Sequence, residues 1–310
     1  MEFTVFDAHC DTIAKLVDFG GELRDNTYHV DFNRIQKSGG YIQVFAAFVD
    51  KKVKPPVQRA IELIDKYYEE IEKNRAIVMH CINTAEIENA LAQNKIATLL
   101  SVEGGEVIEG SLASLRMLYR LGVRIMTLTW NYSNEICDGI GETRGGGLTE
   151  FGRKAVKEMN RLGMIIDVSH ISVKGFWDVI GLSRQPVVAT HSNAKSLCEH
   201  PRNLDDEQIK AIFDVDGCIG VNFYPPFVFG ERCTIEDIVN HIEYLLELGG
   251  ENNIGLGSDF DGISSLPDGV HGVEDTEKII DEMLRRGYKE ELMKKITHEN
   301  FMRIIKKVLN

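Results

Sequence analysis

The sequence predicts an α/β fold, a (β/α)8 TIM barrel, as a single domain over 1–310 with inserted segments and C-terminal helices. Three observations predict it. Eight short apolar runs alternate with longer amphipathic stretches. Most of those runs are near-continuously hydrophobic, as parallel strands covered on both faces must be. No Ser/Pro-rich linker or low-complexity segment divides the 310 residues, a length that one α/β barrel can take up. Eight strand-helix units favour a closed barrel over an open doubly wound sheet.

The predicted strands are Phe3 to Ala8, Tyr41 to Val49, Ala97 to Val102, Arg124 to Leu128, Met164 to Val168, Val187 to Thr190, Cys218 to Phe223 and Asn253 to Gly257. Between them, Val57 to Lys73 places Ile61, Ile64, Tyr68 and Ile71 at helical spacing, and Leu112 to Leu121 repeats leucine in the same way. Thr149 caps a helix that carries Phe151, Ala155, Met159 and Leu162 and stops at Gly163. Asp205 caps one through Phe213, and Thr234 one that ends at Gly249-Gly250. Two tail helices follow, Asp275 to Arg286 and Lys289 to Leu309. The stretch Ile77 to Gln93 reads as an inserted strand or helix. Asn131 to Gly147, with five glycines, reads as a long loop after the fourth strand. Loops at that end of a barrel build active sites.

Composition narrows the function classes. Against 48 Asp and Glu stand 35 Lys and Arg, a formal net charge of −13, and no basic stripe of the kind nucleic acid requires is present. The lysine-rich stretches at 51–54 and 294–295 are short and read as solvated faces. Six cysteines occur without a CxxC pair, which suits free thiols in a reducing compartment. The N-terminus MEFTVFDAHCDT lacks the basic and apolar regions of a signal peptide, and no run of 18 apolar residues exists. These features predict a cytoplasmic protein with no membrane and no nucleic-acid partner, and barrels of this kind favour a homodimer.

The chemistry-bearing residues sit at strand ends. His9 and Asp11, in Asp7-Ala8-His9-Cys10-Asp11, close the first run; strand residues two apart share a face, so an imidazole and a carboxylate point together toward the barrel mouth. Taken alone, the pair is a weak signal and more often means a capping aspartate beside a packed histidine. Glu103 closes the third run, before Gly104-Gly105, and a carboxylate there needs a cation, a metal or several donors. A salt-bridged glutamate is its plain alternative. His170 and His191 follow the fifth and sixth strands. Asp259, after the eighth, would look into the mouth beside the first strand and suits proton transfer. Asp261, next to Gly262, reads as turn chemistry. Three His or Asp positions would fit one metal; five ligands with Glu103 shared would fit two.

These residues lie in segments that resemble the renal-type (membrane) dipeptidase family of the metal-dependent amidohydrolase superfamily. The matching pieces are DAHCDT (7–12), SVEGGEVI (101–108), GLTEFGRKAVKEMNRLGMIIDVSH (147–170), VVATHSNAKSLCEHPRN (187–203), VNFYPPF (221–227) and GSDFDG (257–262), in family order over almost the whole chain. The resemblance implies two Zn2+, one on His9, Asp11 and Glu103 and one on Glu103, His170 and His191, so that Glu103 bridges. It implies a proton-shuttling role for Asp259, a grip on the substrate carboxylate for Arg202, and a substrate contact for Tyr224. Where vertebrate relatives carry a histidine that polarises the scissile carbonyl, this chain reads Trp130-Asn131. Trp130 can only donate through its indole N–H, and Asn131 is the candidate substitute donor.

The implied activity is zinc-dependent hydrolysis of dipeptides, L-L and also L-D, by a bridging hydroxide in a binuclear site. Two alternatives remain open at this level: another metal-dependent amidohydrolase, a deacylase or lactonase acting on a small carbonyl compound, or a catalytically silent barrel that binds a ligand.

Overall fold

The computed structural model of the chain describes residues 3–50, 52 and 55–309. Nine strands form one sheet: β1 (Val5–Cys10), β2 (Tyr41–Phe48), β3 (Val78–His80), β4 (Ile96–Glu103), β5 (Val123–Thr127), β6 (Ile165–Asp167), β7 (Val187–Ala189), β8 (Cys218–Val221) and β9 (Ile254–Leu256). Every pairing is parallel. Neighbours run β2-β1-β9-β8-β7-β6-β5-β4, and β2 also pairs with β4, so eight strands close a ring. The fold is a (β/α)8 TIM barrel. β3 stays outside the ring: it pairs with Ile96, Ala97 and Thr98, and from Leu100 onward β4 pairs with β5. The inserted stretch therefore supplies both a strand and a helix, Thr84–Ala92.

Helices Pro56–Lys73, Leu112–Arg120, Glu150–Leu162, Asp206–Asp214, Ile235–Glu247 and Thr276–Arg285 fall where periodicity and caps predict them. The Thr149, Asp205 and Thr234 side chains accept bonds from backbone N–H groups of their first turns. The last expected helix is three pieces: Glu290–Lys294, a π-turn at Lys295–Glu299, and Asn300–Val308. The wide turn buries Ile296 and Thr297 against β1 and β9. Helices Thr12–Phe19, Phe32–Lys37 and Val173–Leu182 escaped the sequence reading. The first two are short, and the third carries Gly175 and Gly181, which periodicity reads as breakers. Among the described residues no helix is long and apolar enough to cross a membrane. All six cysteines are free thiols, five of them buried. Of the lysine stretch at 51–54 only Lys52 lies within the described residues, and it is exposed.

Two apolar clusters hold the barrel. One lies between the outer strand faces and the helices. The other fills the interior, with Phe6, Ile42, Ala97, Leu99, Ile165 and Val188. Helix Asn300–Val308 plugs the end where the strands begin: Phe301 stacks on Phe6 with ring centroids 5.0 Å apart, and Ile304 and Ile305 join the same cluster. Hydrocarbon seals that end, so polar chemistry is confined to the opposite rim.

Strand alternation delivers Glu103 to that rim. Ala97 and Leu99 face the interior while Leu100 and Val102 face the helices, so Glu103 stands above Ser101 on the inner face. β1 works differently. Its ladder skips between Asp7↔Gln43 and Cys10↔Phe45, so Ala8 and His9 together oppose Val44. By strict alternation His9 would share the outer face with Val5; the bulge turns it inward. β1 also runs two residues past its expected end, because Cys10 continues the ladder to Phe260 through a charged stretch that hydropathy does not read as strand.

The β7 to β9 side is packed backbone to backbone. A β-carbon on Gly257 or on Gly220 would collide with the carbonyl oxygen of Thr190, immediately before His191. Gly257→Ala is therefore expected to destabilise the fold by about 1–3 kcal/mol, the overpacking range. The exposed helical Gly181, where an added methyl group would meet nothing within 4 Å, is the control; Gly181→Ala should stabilise by roughly 0.5 kcal/mol. Urea midpoints at unchanged m-value read both.

Candidate metal centre

The strand ends bring the expected donors into one buried cluster. Glu103 is its hub: Oε2 lies 3.3 Å from His9 Nε2, while Oε1 lies 3.0 Å from His170 Nε2 and 3.6 Å from His191 Nε2. His9 Nε2 is also 3.3 Å from Asp11 Oδ2 and 4.0 Å from Asp259 Oδ1. Ligand atoms of His9, Asp11 and Glu103 lie within 4.8 Å of one another, as do those of Glu103, His170 and His191. The same holds for His9, His191 and Asp259, so Asp259 borders the same space.

Local backbone sets these positions. His170, Asp259 and Asp261 all have positive φ, 67°, 61° and 67°. Such conformations cost non-glycine residues about 1–3 kcal/mol each and persist only where the surroundings impose them. Around His170, its carbonyl accepts from Ile140 of the long glycine-rich loop, and its Nδ1 bonds Asn131 Oδ1 at 2.8 Å. An amide oxygen only accepts, so Nδ1 carries the proton and Nε2 presents a lone pair to Glu103 and the cluster. Asp259 donates its N–H to the His9 carbonyl, and its Oδ2 accepts from Asn222 Nδ2 at 2.8 Å. Asp7 locks β1 to the turn after β9, accepting from the Ser258 N–H at 2.9 Å and the Ser258 hydroxyl at 2.5 Å.

The electrostatics of the cluster call for positive charge. Asp11, Glu103 and Asp259 are all buried, and among the described residues their only ion-pair partners are histidines. Burial works against the charge on Glu103, yet the charge of His9 holds it well below the usual carboxylate range. Burial likewise opposes a charged His9, but Glu103 and Asp11 push it well above the ordinary imidazole value. Burial raises Asp11 to about 6 and Asp259 to about 7, reinforced in both by neighbouring carboxylates and opposed by His9. Burial, aided by the Arg202 charge, lowers His170 to about 4, and burial aided by His9 holds His191 well below the ordinary imidazole value. Both are thus kept as neutral imidazoles, the form that ligates metals.

Two further observations show that the residues fit cations. Asp11 Oδ1 is buried without a hydrogen-bond partner. A β-carbon on Gly262 would strike Asp11 Oδ2 and stand 2.5 Å from Asp259 Oδ1, so only glycine leaves the space between these carboxylates open. Borderline-soft imidazoles with hard carboxylates, no thiolate among them, match a zinc-class ion.

Above the cluster opens a cavity of about 430 Å³, walled by Asp11, Phe48, Trp130, Asn131, Tyr224 and Asp259 among others. Trp130 packs edge-on to Phe48 and Tyr132, at 5.2 and 5.6 Å, and leans over His170 at 6.3 Å. Tyr224 bonds Ser264 Oγ at 3.0 Å through its hydroxyl. Arg202 does not line this cavity. It lies behind His191, donating from Nη2 to the His191 carbonyl at 3.2 Å, in a side cavity of about 20 Å³ that adjoins His170. Its buried Nε has no partner, its guanidinium sits 5.4 Å from the Phe227 ring, and burial lowers it to about 10 despite the nearby carboxylates.

Sequence reasoning missed several residues that build the site. Asp167, Thr190, Asn222 and Asp7 carry no expected role there. The signal available was a carboxylate inside or ending an apolar run, three residues before His170 and two before His9. Asp261 exceeds turn chemistry: it accepts from Thr12 Oγ1 at 2.5 Å and the His29 N–H at 2.9 Å, tying the 20–31 loop to the turn of Asp259.

Known proteins resemble this chain over most of its length. A crystal structure of a metallopeptidase from Rhodobacter sphaeroides, liganded with a phosphinate mimic of the dipeptide L-Ala-D-Ala, superposes with a TM-score of 0.91 at 28% identity over 99% of both chains. The metallopeptidase called dipeptidase AC, of family M19, superposes with a TM-score of 0.92 at 29% identity over 100% of this chain and 99% of its own. An uncharacterized protein in the pqqA 5' region of Klebsiella pneumoniae is 37% identical over 239 residues, 74% of this chain and 88% of its own. The model of the membrane dipeptidase family matches residues 1–310, and the chain belongs to that family of metal-dependent peptide hydrolases, peptidase family M19.

Proposed function

We propose that the chain hydrolyses dipeptides, L-L and L-D, with two zinc ions seated on either side of Glu103. The observation that carries this reading is the split engagement of Glu103, one oxygen toward His9 and the other toward His170 and His191. His9, Asp11 and Glu103 would hold one ion, and Glu103, His170 and His191 the other. When bound, the ions supply Lewis acidity, lowering the pKa of water and polarising the scissile carbonyl.

The remaining chemistry belongs to the chain. Asp259 stands at the edge of the donor cluster with Oδ2 held by Asn222, leaving Oδ1 toward the reacting centre. It takes the proton of the attacking water and returns it to the departing amine nitrogen. Arg202 is a buried guanidinium with an unused N–H, suited to a carboxylate that reaches the side cavity beside His170. A free carboxylate close to the scissile bond selects short substrates. Trp130, Asn131 and Tyr224 shape the cavity over the substrate. Its volume lies at the small end of ligand pockets, in keeping with two residues rather than a longer peptide. The Rhodobacter relative's L-Ala-D-Ala mimic supports a D residue in second position.

The purified protein is expected to carry two equivalents of zinc and to cleave both L-Ala-L-Ala and L-Ala-D-Ala, activity that chelation removes and zinc restores. Metal analysis with a chiral dipeptide panel checks this; two bound zincs without turnover of any dipeptide would contradict it. For Asp259→Asn, kcat should fall on the order of 10²–10⁴-fold at unchanged zinc content. An equal loss of metal would instead make Asp259 a ligand.

A further inference from the structure

The last residue of β6, Asp167, is fully buried, and four donors surround its carboxylate. Oδ1 accepts from the N–H groups of Ser169, at 3.0 Å, and Thr190, at 2.9 Å. Oδ2 accepts from the hydroxyls of Thr127 and Thr190, each at 2.6 Å. Among the described residues no Lys or Arg pairs with it, so its function is not that of a salt bridge. The Thr190 oxygen has a second neighbour, His191 Nδ1, at 2.8 Å.

A hydroxyl owns one proton. With Asp167 taking it, the Thr190 oxygen offers only lone pairs to His191, and Nδ1 must be the donor. The Nε2 atom of His191 is then an unprotonated lone pair, 3.6 Å from Glu103 Oε1 and 2.9 Å from His170 Nε2. We propose that Asp167 is a positioning residue that fixes, through the Thr190 hydroxyl, the tautomer in which His191 can ligate metal. This inference rests on the reading of His191 as a ligand. It identifies a device on β6 and β7 that matches in effect the Asn131 carbonyl behind His170: each imidazole has an acceptor at Nδ1 that keeps Nε2 bare.

The isosteric variant Asp167→Asn separates this role from packing. Its amide oxygen can replace Oδ1 toward the two backbone N–H groups, which leaves the NH2 facing the threonine hydroxyls. The Thr190 proton then turns to His191 Nδ1, at 2.8 Å a nearer acceptor than Ser169 Oγ at 3.5 Å, and the imidazole proton moves to Nε2. Long-range 15N-1H correlation of histidine-labelled, chelator-treated full-length protein reads the tautomer, and competition with a chromophoric chelator reads zinc affinity. Expected are Nδ1–H in the wild type, Nε2–H in Asp167→Asn, and zinc affinity about 10–100-fold weaker in the variant. Thr190→Ser should keep wild-type affinity and tautomer, while Thr190→Val should weaken zinc, so the proposal stands or falls even if Asp167→Asn does not fold. Nδ1–H with unchanged zinc affinity in Asp167→Asn, or equal behaviour of the Ser and Val variants, overturns it. Neither readout uses a dipeptide, so correct tautomers and zinc binding without turnover would count against the proposed substrate and leave this inference intact.

Discussion

One buried carboxylate organises this molecule. Glu103 ends an eight-residue strand of the barrel with its two oxygens turned toward different histidines, and among the described residues only imidazoles pair with it. An unpaired carboxylate in that position would cost several kcal/mol, more than any single apolar contact returns. The ring of strands can therefore close at this rim only with the histidines from β1, β6 and β7 drawn around it. The metal reading follows from that necessity: three carboxylates and three imidazoles, out of water, attract positive charge by their arrangement.

The rest of the fold trades local comfort for this convergence. A bulge in β1 turns His9 inward. His170 and Asp259 take left-handed backbone. Glycines at 220 and 257 let two backbones crowd against Thr190, and Gly262 keeps the space between Asp11 and Asp259 clear. The offsetting stability lies at the other end of the barrel and under the helices, where the two apolar clusters carry no polar duty. This separation of a hydrocarbon foot from a strained polar rim lets the rim hold costly conformations without unfolding.

The sequence made the eight ring strands and the five donors legible because both depend on short-range rules. Continuous apolar runs mark buried parallel strands, and polar residues closing such runs mark their exposed ends. It was less informative where the outcome depends on partners distant in the chain. The strand at Val78–His80 exists because β4 offers it an edge below β5. The turn of His9 comes from a register slip against β2, not from alternation within β1. Helix Val173–Leu182 hid behind two glycines. The supporting set of Asp7, Asp167, Thr190 and Asn222 could be seen as misplaced polar residues, but which ligand each serves required the folded geometry. Arg202 lies farther from the main cavity than its place beside the other motifs suggests.

Cations seated on both sides of Glu103 are the central requirement, and anomalous diffraction from zinc-soaked crystals, recorded on either side of the zinc absorption edge, tests it most directly. Two edge-dependent peaks are predicted, one among His9, Asp11 and Glu103 and one among Glu103, His170 and His191. No peak within this cluster, or zinc held only elsewhere on the molecule, would contradict it.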